Sequence, residues 1–439
     1  MSVRVAILGA GPGGLSLARR LSDYEGVDVD LYEKEANVGG MHKSPEFDGL
    51  FYDVGTFLFH EGHGLIETFP ETRDLYVEAE YKPLSITPKG GYDRYPLSVG
   101  GYLRDNGPLV AVMSGFDLLA SKLLHRRRDT VPAYAKYYTG GTIYRRSGLQ
   151  EYVNRLHDAP DTELDVKFAQ RRMHVLSRQS LRKLAMKAFS RGYRKKAAKS
   201  FQQRLVRPKE GMAFLYEKML EIVERQGVQV LTNCQVESVR REGEEFVLVH
   251  SGGQEERYDR IISTIPMPVM SRLIGREPET NIENRDLISL FYRGKFVNQA
   301  AAFFNFTYSG KWKRITVFSK FYGMEEGQDY FTVEVTAQDA SSGAVDEARR
   351  DFEEHARKFN LLEGEPEYVG SEITPRAYPI YRRGQMPAIE REKQALRDFG
   401  IDLVGRQGNF EYVISDVVAQ RAHTLVDKMA GELELTAAS

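Results

Sequence analysis

The fold is decided by the stretch Val3-Arg-Val-Ala-Ile-Leu-Gly9-Ala-Gly11-Pro12-Gly13-Gly14, which opens a chain of 439 residues. An apolar run leads into a Gly-x-Gly-x-x-Gly turn, and apolar residues then recur at helical spacing. A second apolar run ends at Glu33, nineteen residues after Gly14. This order predicts a strand, a tight turn, a helix and a second strand that ends in an acid.

Each residue type in this unit has a physical reason to be there. Gly9 allows the tight turn, Gly11 allows the backbone to approach a pyrophosphate, and Gly14 allows the helix to pack closely on the strand. The N-terminus of the helix offers free N–H groups and a positive dipole to phosphates. The carboxylate of Glu33 is placed to accept hydrogen bonds from ribose hydroxyls. The unit therefore predicts a dinucleotide-binding site.

A second glycine pair, Gly39-Gly40, follows soon after the acid, in the sequence Lys34-Glu-Ala-Asn-Val-Gly39-Gly40-Met41-His42. This arrangement resembles the flavoprotein superfamily of amine oxidases, protoporphyrinogen oxidase, phytoene desaturases and UDP-galactopyranose mutase. In that superfamily the pair lies against FAD. The resemblance implies tightly held FAD rather than exchangeable NAD.

The C-terminal part carries a second signal, Gly405-Arg406-Gln-Gly408-Asn-Phe-Glu-Tyr412, preceded by Ala-Tyr378-Pro. It most resembles UDP-galactopyranose mutase and the protoporphyrinogen-oxidase-like proteins associated with polysaccharide genes. The resemblance implies that Gly405 approaches the flavin, that Arg406 neutralises pyrophosphate charge, and that a helix beginning near Ser415 or Asp416 offers backbone donors. The complete set of residues predicted to contact FAD is Gly9, Gly11, Pro12, Gly13, Gly14, Glu33, Lys34, Gly39, Gly40, Met41, Val236, Gly405, Arg406, Tyr412 and Ile414.

Composition bounds the remaining possibilities. The formal net charge is −1, so bulk charge does not indicate a nucleic-acid partner. The one cysteine, Cys234, excludes an internal disulfide and a multi-cysteine metal site, and it fits a reducing, cytoplasmic compartment. The longest apolar runs, such as Leu109 to Met113, are too short to span a bilayer. We therefore expect a cytoplasmic enzyme without a metal, and the sequence predicts no oligomeric state.

The periodicities predict an α/β fold: a Rossmann-type FAD-binding domain with a mixed antiparallel-sheet substrate domain and a helical insertion. β-Branched and aromatic residues alternate between Asp286 and Val335, which predicts the antiparallel sheet that forms a wall of the substrate cavity. The predicted segments are residues 1–99, 205–275 and 374–439 for the FAD-binding domain, 100–204 for the helical insertion and 276–373 for the substrate domain.

One stretch has an uneven charge distribution. Between Val166 and Lys209 there are fifteen Lys or Arg residues and no Asp or Glu. Apolar residues run through this stretch at broadly helical spacing, which allows three interpretations: a solvated helical face, contact with an anionic membrane surface, or steering of an anionic substrate. Under the second interpretation, the region 167–209 is the membrane contact of a cytoplasmic protein that is peripheral to the inner face of the membrane.

Three functions compete on these observations. The leading hypothesis is an FAD-dependent oxidoreductase that transfers hydride from a small-molecule substrate to flavin N5, with cell-surface polysaccharide metabolism as its suggested setting. The first alternative is a mutase of a nucleotide sugar or other anionic substrate, without net redox change. Where the mutase has Pro-His-Ile-Phe-His, this chain has Thr56-Phe57-Leu-Phe-His60 and so lacks the first histidine. The second alternative is a catalytically silent FAD-binding protein at a membrane surface.

Candidate residues on the substrate side are polar groups in or near the motifs. His42 is one such group, in the second glycine segment. The predicted catalytic residues are His60, Tyr378 and Arg383, and the predicted substrate-binding residues are Tyr92, Arg145, Arg146 and Tyr381.

Overall fold

The computed structural model describes residues 2–172, 203–279 and 282–437, and it confirms the predicted α/β fold. The strands within these residues are β1 Val3–Leu8, β2 Val27–Tyr32, β3 Glu46–Phe47, β4 Leu50–Phe51, β5 Val77–Glu80, β6 Pro83–Ile86, β7 Tyr92–Arg94, β8 Gln203–Val206, β9 Gln229–Leu231, β10 Val236–Glu242, β11 Glu245–His250, β12 Gln254–Tyr258, β13 Arg260–Ser263, β14 Asn284–Gly294, β15 Ala302–Asn305, β16 Trp312–Val317, β17 Asp329–Ala337, β18 Glu367–Pro379 and β19 Ile401–Leu403. The helices are α1 Pro12–Leu21, α2 Gly64–Thr68, α3 Val99–Leu124, α4 Val131–Thr139, α5 Gly141–Arg146, α6 Leu149–His157, α7 Val166–Arg172, α8 Gly211–Arg225, α9 Met267–Leu273, α10 Ser319–Tyr322, α11 Ser342–Lys358, α12 Met386–Phe399, α13 Gly405–Gly408 and α14 Ser415–Glu432.

The N-terminal motif lies in a five-stranded parallel sheet with the strand order β19-β13-β1-β2-β9. Proline at the first position of α1 fixes the backbone in a helical conformation, and Leu15, Ala18 and Leu21 bury the inner face of that helix. Helices α1, α8 and α14 share one apolar core with this sheet. The parallel sheet therefore joins segments from both ends of the chain, which explains how distant motifs reach one site.

A seven-stranded sheet has the order β18-β14-β17-β16-β15-β6-β7 and is antiparallel except for the β15–β6 pair. On its outer face, alternate residues of β17 such as Phe331, Val333 and Val335 share a core with α11. On its inner face, Thr332 and Glu334 are also fully buried. Both faces of this sheet are therefore buried, but the outer face is apolar and the inner face is polar.

The strand pairing differs from the predicted segments at two places. Strands β6 and β7, within predicted segment 1–99, belong to the seven-stranded sheet, where β6 pairs with β15. Strand β18 crosses the predicted limit between residues 373 and 374 and stays paired with β14 up to Pro379. These pairings depend on contacts between distant parts of the chain, which local periodicity does not report.

Residues 99–172 form helices α3 to α7 with a short 3₁₀ turn between them. By length and composition α3 could cross a membrane. The short apolar runs in the sequence did not predict this, because Asp117 and Lys122 interrupt the apolar pattern within the helix. Gly107 has non-helical angles inside α3, so the helix is kinked before Pro108. Most of the predicted basic region 167–209 lies outside the described residues.

Candidate flavin and substrate site

The glycine turn after β1 has no space for side chains. A Cβ atom added to Gly14 would lie 1.9 Å from the carbonyl oxygen of Gly9. Gly9 has a φ angle of +97°, and a Cβ there would lie 2.6 Å from Thr264 Oγ1. Both positions require glycine, because the turn brings the start of α1 against the end of β1.

The second glycine pair lies directly against this turn. The backbone N–H of Gly39 donates to the carbonyl oxygen of Ala10 at 2.8 Å. A Cβ on Gly40 would lie 3.2 Å from the Cα atom of Gly11. The two motifs that are thirty residues apart in sequence thus form one backbone-lined surface.

The C-terminal motif closes on the same surface. A Cβ on Gly13 would lie 3.0 Å from Val418 Cγ1 in α14, and one on Gly408 would lie 2.6 Å from the carbonyl oxygen of Ser263. Gln407 Nε2 donates to Met41 Sδ at 3.5 Å. The N-terminal ends of α1 and α14, the latter beginning at Ser415 as predicted, are therefore brought together.

This surface fits FAD. The N-cap residues of α1 and α14, Gly11 and Ile414, make no side-chain capping hydrogen bond, so their own side chains leave the first N–H groups of these two helices available. Uncapped N–H groups and helix dipoles bind a pyrophosphate well. Of the predicted contacts, Pro12, Gly13 and Gly405 lie at helix beginnings at this surface, and the Ile414 side chain is half exposed beside it.

The predicted ribose-binding acid, Glu33, lies at the end of the second strand, as its spacing predicts. Glu33 follows β2 directly and is buried. Its Oε2 accepts from the N–H of Ala10 at 2.9 Å, and its Oε1 accepts from the N–H of Glu35 at 3.0 Å. Lys34 is exposed and forms an ion pair with Glu35, and Val236 is buried at the start of β10. Glu33 thus holds the glycine turn and keeps oxygen lone pairs that ribose hydroxyls can use.

Arg406 has a different environment from the predicted one. Its Nε and Nη2 donate to the carbonyl oxygen of Val413 at 3.0 and 2.9 Å, and its Nη1 donates to that of Ala377 at 3.3 Å. The guanidinium carbon also lies 5.6 Å from the ring centre of Tyr378 and 5.2 Å from that of Tyr412. Arg406 therefore holds two chain segments and two aromatic rings in place, and three of its five N–H donors bind backbone carbonyls rather than the predicted pyrophosphate.

The tyrosines beside Arg406 form an ordered aromatic pair. Tyr378 and Tyr412 have ring centres 5.5 Å apart at an interplanar angle of 12°. Tyr381 is buried beneath them, where its hydroxyl accepts from the N–H of Tyr412 at 2.8 Å and donates to the carbonyl of Phe410 at 3.3 Å. The prediction that Tyr381 binds substrate has to be replaced by a supporting role, because its hydroxyl is engaged by the backbone.

Histidines occupy the side of the site near α14. Burial, with the charge of Arg406 as the next cause, lowers the pKa of His42 to about 3. The ring is therefore neutral at pH 7, and its Nδ1 lies 2.8 Å from the hydroxyl of Tyr216. His60, predicted to be catalytic, has a side chain that is 49% exposed, and its Nε2 lies 3.4 Å from Asp416 Oδ2.

Four other predicted residues lie at the surface or in another core. Arg145 and Arg146 are exposed on α5, and Arg383 is exposed in the turn after β18. Tyr92 packs against Phe303 at 5.8 Å between ring centres, on the seven-stranded sheet. The structure therefore does not bring the predicted arginines to Tyr378, because helix α5 and the turn after β18 present them to solvent.

A cluster of charged side chains that the sequence did not predict lies on the inner face of the seven-stranded sheet. We call Lys313, Arg314 and Glu334 the inner-face cluster. Arg314 Nε donates to Glu334 Oε1 at 2.6 Å, and Lys313 Nζ lies 3.7 Å from Glu334 Oε2. Lys313 Nζ also donates to Thr336 at 3.0 Å and lies 3.9 Å from the ring centre of Tyr378. The cluster holds two cationic groups and one carboxylate beside the aromatic pair.

A β-bulge explains why two consecutive cations share one face. In a regular strand, Lys313 and Arg314 would point to opposite sides. Trp312 pairs with Val335 and Arg314 with Glu334, so the register shifts and Lys313 is the extra residue. Trp312 stays in the outer core while both cations reach Glu334. Such an irregularity re-aims side chains and is common next to active sites.

The segment after β4 crosses this inner face. Ser289 donates to the carbonyl of Val54 at 2.6 Å, and Thr332 donates to that of Asp53 at 2.8 Å. Thr56 forms a hydrogen bond with Thr316. Residues 53–56 therefore link the flavin surface to the substrate sheet.

The arrangement defines a flavoprotein: a dinucleotide surface built from three chain segments faces a polar, aromatic wall of a second sheet. The family model for flavin containing amine oxidoreductases matches residues 12–306. The chain belongs to this family, FAD is its cofactor, and the resemblance seen in the sequence is confirmed.

Individual relatives are more distant. Coproporphyrinogen III oxidase of Staphylococcus aureus is 22% identical over 304 residues, which are 63% of this chain and 64% of that protein. Mitochondrial protoporphyrinogen oxidase of Nicotiana tabacum is 30% identical over 122 residues, 28% of this chain and 21% of that protein. The chain thus spans less than two thirds of the length of either relative. The crystal structure of reduced UDP-galactopyranose mutase matches with a TM-score of 0.76 at 16% identity, over 98% of this chain and 94% of that one, which shows a shared fold.

Proposed function

We propose that this protein is an FAD-dependent oxidoreductase that removes hydride from a substrate with a large apolar body and a carboxylate. The observation that carries the proposal is the inner-face cluster, in which buried Lys313 and partly exposed Arg314 share the carboxylate of Glu334 beside Tyr378. A substrate carboxylate bound beside these two cations would form charge-assisted hydrogen bonds, which are stronger than neutral ones.

FAD, when bound, accepts the hydride. The protein then has to hold the substrate and exclude water. Lys313 and Arg314 would take the substrate carboxylate, with the fixed fork of the guanidinium setting its orientation. Tyr378 and Tyr412, which stack at 12°, would form an apolar wall for the body of the substrate.

The names of the relatives fit this substrate class. Two of them are porphyrinogen oxidases, and porphyrinogens are large, oxidisable rings that carry carboxylate side chains. The mutase alternative requires arginines for a substrate pyrophosphate, and its candidates Arg145, Arg146 and Arg383 are exposed. The two cations of the inner-face cluster and the aromatic pair therefore favour oxidation of an acid-bearing ring over rearrangement of a nucleotide sugar.

The test is flavin reduction in the purified holoenzyme without oxygen, followed by flavin absorbance in a stopped-flow instrument. Coproporphyrinogen III and its methyl ester share the same ring but only the free acid carries carboxylates, so we expect the free acid to reduce the flavin with a much lower half-saturating concentration. Because a hydrogen bond to a charged group contributes about 1.5–3 kcal/mol, Lys313→Met should raise that concentration for the acid by roughly ten- to a hundred-fold. The variant should leave the value for the ester unchanged within about threefold.

Lys311→Met is the matched control, because Lys311 is two residues away and exposed, where it pairs with Glu347. We expect it to behave as the wild type with both substrates. Equal half-saturating concentrations for acid and ester in the wild type would contradict the proposal. Conversion of a UDP-hexose by the reduced protein, with no electron acceptor present, would establish the mutase alternative instead.

A further inference from the structure

Helix α3 has a face that is apolar and exposed. Beyond the kink at Gly107, large apolar side chains recur at helical spacing on one side. Leu109 is 73%, Phe116 69% and Leu124 78% exposed. The other exposed members of this face are Val112, Met113, Leu119 and Leu123. We call these seven residues the apolar face of α3. An exposed contiguous apolar patch marks an interaction site.

The opposite side of α3 packs on the protein through small and polar groups. Ser114 and Ser121 are buried there, two turns apart. Ser114 forms a hydrogen bond with Tyr102 at 2.9 Å, and Asp117 accepts from the N–H of Thr142 at 2.6 Å. A Cβ on Gly140 would lie 3.1 Å from the Cα atom of Leu118, so α4 approaches the helix backbone closely. A surface helix usually turns its apolar side to the protein core and its polar side to solvent. Helix α3 does the opposite, because its polar side contacts the protein and its apolar side is exposed.

Charge at the end of α3 indicates the occupant. The apolar face contains no charged residue, and the helix is followed directly by His125-Arg126-Arg127-Arg128. Arg126 and Arg127 are exposed. Apolar side chains flanked by exposed arginines match the apolar interior and anionic headgroups of a lipid surface.

We propose that the apolar face of α3 inserts into one leaflet of an anionic membrane, with the helix axis in the membrane plane. A spanning helix would be covered by lipid on every side, whereas Ser114, Asp117 and Ser121 bind α3 to the rest of the protein. At 1.5 Å per residue, the part after the kink is roughly 25 Å long, enough for a stable contact in the plane. This inference goes beyond the proposed reaction, and its readout does not depend on flavin chemistry.

The test is sedimentation of the holoprotein with sucrose-loaded vesicles made of phosphatidylcholine alone or of phosphatidylcholine with about 30% phosphatidylglycerol, whose anionic headgroups attract arginines near the surface. Each large apolar side chain that leaves the lipid should weaken binding by roughly tenfold, so Phe116→Glu/Leu119→Glu should weaken it by roughly a hundred-fold or more. Val297→Glu/Met324→Glu is the matched control, since both residues are exposed elsewhere and the charge change is the same. We expect less than about threefold from that control.

Arginine removal and a depth probe complete the test. Arg126→Gln/Arg127→Gln should weaken binding to the anionic vesicles by roughly fivefold per arginine and leave binding to phosphatidylcholine unchanged. Leu119→Trp fluorescence should be quenched by lipids with brominated acyl chains, while Val297→Trp should not be. Equal vesicle binding by the wild type and Phe116→Glu/Leu119→Glu would overturn the proposal. A wild type that forms a dimer without vesicles, loses it in that variant and binds no vesicle would also overturn it, and would assign the face to a second copy of this chain.

Discussion

His355 is expected to make this protein less stable in mild acid. The residue lies on α11 and is buried against β16, where its Nδ1 accepts from the indole N–H of Trp312 at 3.1 Å. An indole can only donate, so Nδ1 carries no proton and the ring proton is on Nε2, 2.9 Å from Thr307 Oγ1. Protonation of His355 at Nδ1 would place its new N–H group against the indole N–H group of Trp312, and the hydrogen bond between them would be lost. Burial, with the charge of Arg155 next, lowers the pKa of His355 to about 4.

The magnitude follows from linkage. A histidine in the unfolded chain has a pKa of about 6.5, so between pH 6.5 and pH 4 the unfolded state binds more protons. The contribution of neutral His355 to the free energy of unfolding is therefore fully present above pH 6.5 and is lost as the pH falls from 6.5 to about 4. For this one residue the free energy of unfolding should decrease by about 2 kcal/mol between pH 7 and pH 5, and by about 3.4 kcal/mol at most.

Urea unfolding of the holoprotein in excess FAD gives the measurement, and Trp312, the one tryptophan of the chain, is a fluorescent reporter for this region. His355→Gln keeps an acceptor for Trp312 but does not titrate. We expect its decrease between pH 7 and pH 5 to be about 2 kcal/mol smaller than that of the wild type. His125→Gln, at a partly exposed position, should match the wild type. Decreases that agree within about 0.5 kcal/mol for His355→Gln and the wild type would refute the reasoning.

Other variants test the flavin surface and the two buried charged groups. Gly14→Ala places a Cβ 1.9 Å from the carbonyl of Gly9 and should yield protein without bound FAD, whereas Gly431→Ala, in open space, should retain the flavin absorbance. Arg207 Nε donates to Asp53 at 2.5 Å in a buried pair, so Arg207→Met should lower the free energy of unfolding by about 3–5 kcal/mol in urea melts, and adding Asp53→Asn should recover part of the loss. Replacing the whole inner-face cluster by methionine and leucine should leave the free energy of unfolding equal or higher by about 1–4 kcal/mol while preference for an acidic substrate disappears; a loss of stability instead would show that the cluster is structural.

The parts of the site that the sequence predicted depend on local backbone requirements. Gly9 and Gly39 are recognisable because their positive φ angles favour glycine, and Gly14 is recognisable because a Cβ atom there would clash with the backbone of Gly9. Glu33 is recognisable because the length of α1 and β2 fixes its spacing. These constraints are written into a few consecutive residues, and the structure places them at one surface.

The parts that the sequence did not predict depend on pairing between distant segments. Arg406 was expected to face a phosphate, but its position relative to Val413 and Ala377 directs its donors to carbonyl oxygens. Lys313 and Arg314 read as alternating residues of a strand, and only the shifted pairing with β17 shows that both face inward. The exposed face of α3 was hidden because an apolar face looks the same in sequence whether a core or a membrane covers it.

The two faces of the seven-stranded sheet differ in what each contributes. The outer face packs Phe331, Val333 and Val335 on α11, and such packing stabilises a domain at no cost in buried charge. The inner face buries Glu334 with two cations, although apolar residues of similar volume would hold the sheet to its neighbours at least as well. Fold stability therefore does not account for the inner-face cluster. In the proposed function, its place beside Tyr378 and behind the segment at Thr56 gives the retained charge a role in substrate recognition.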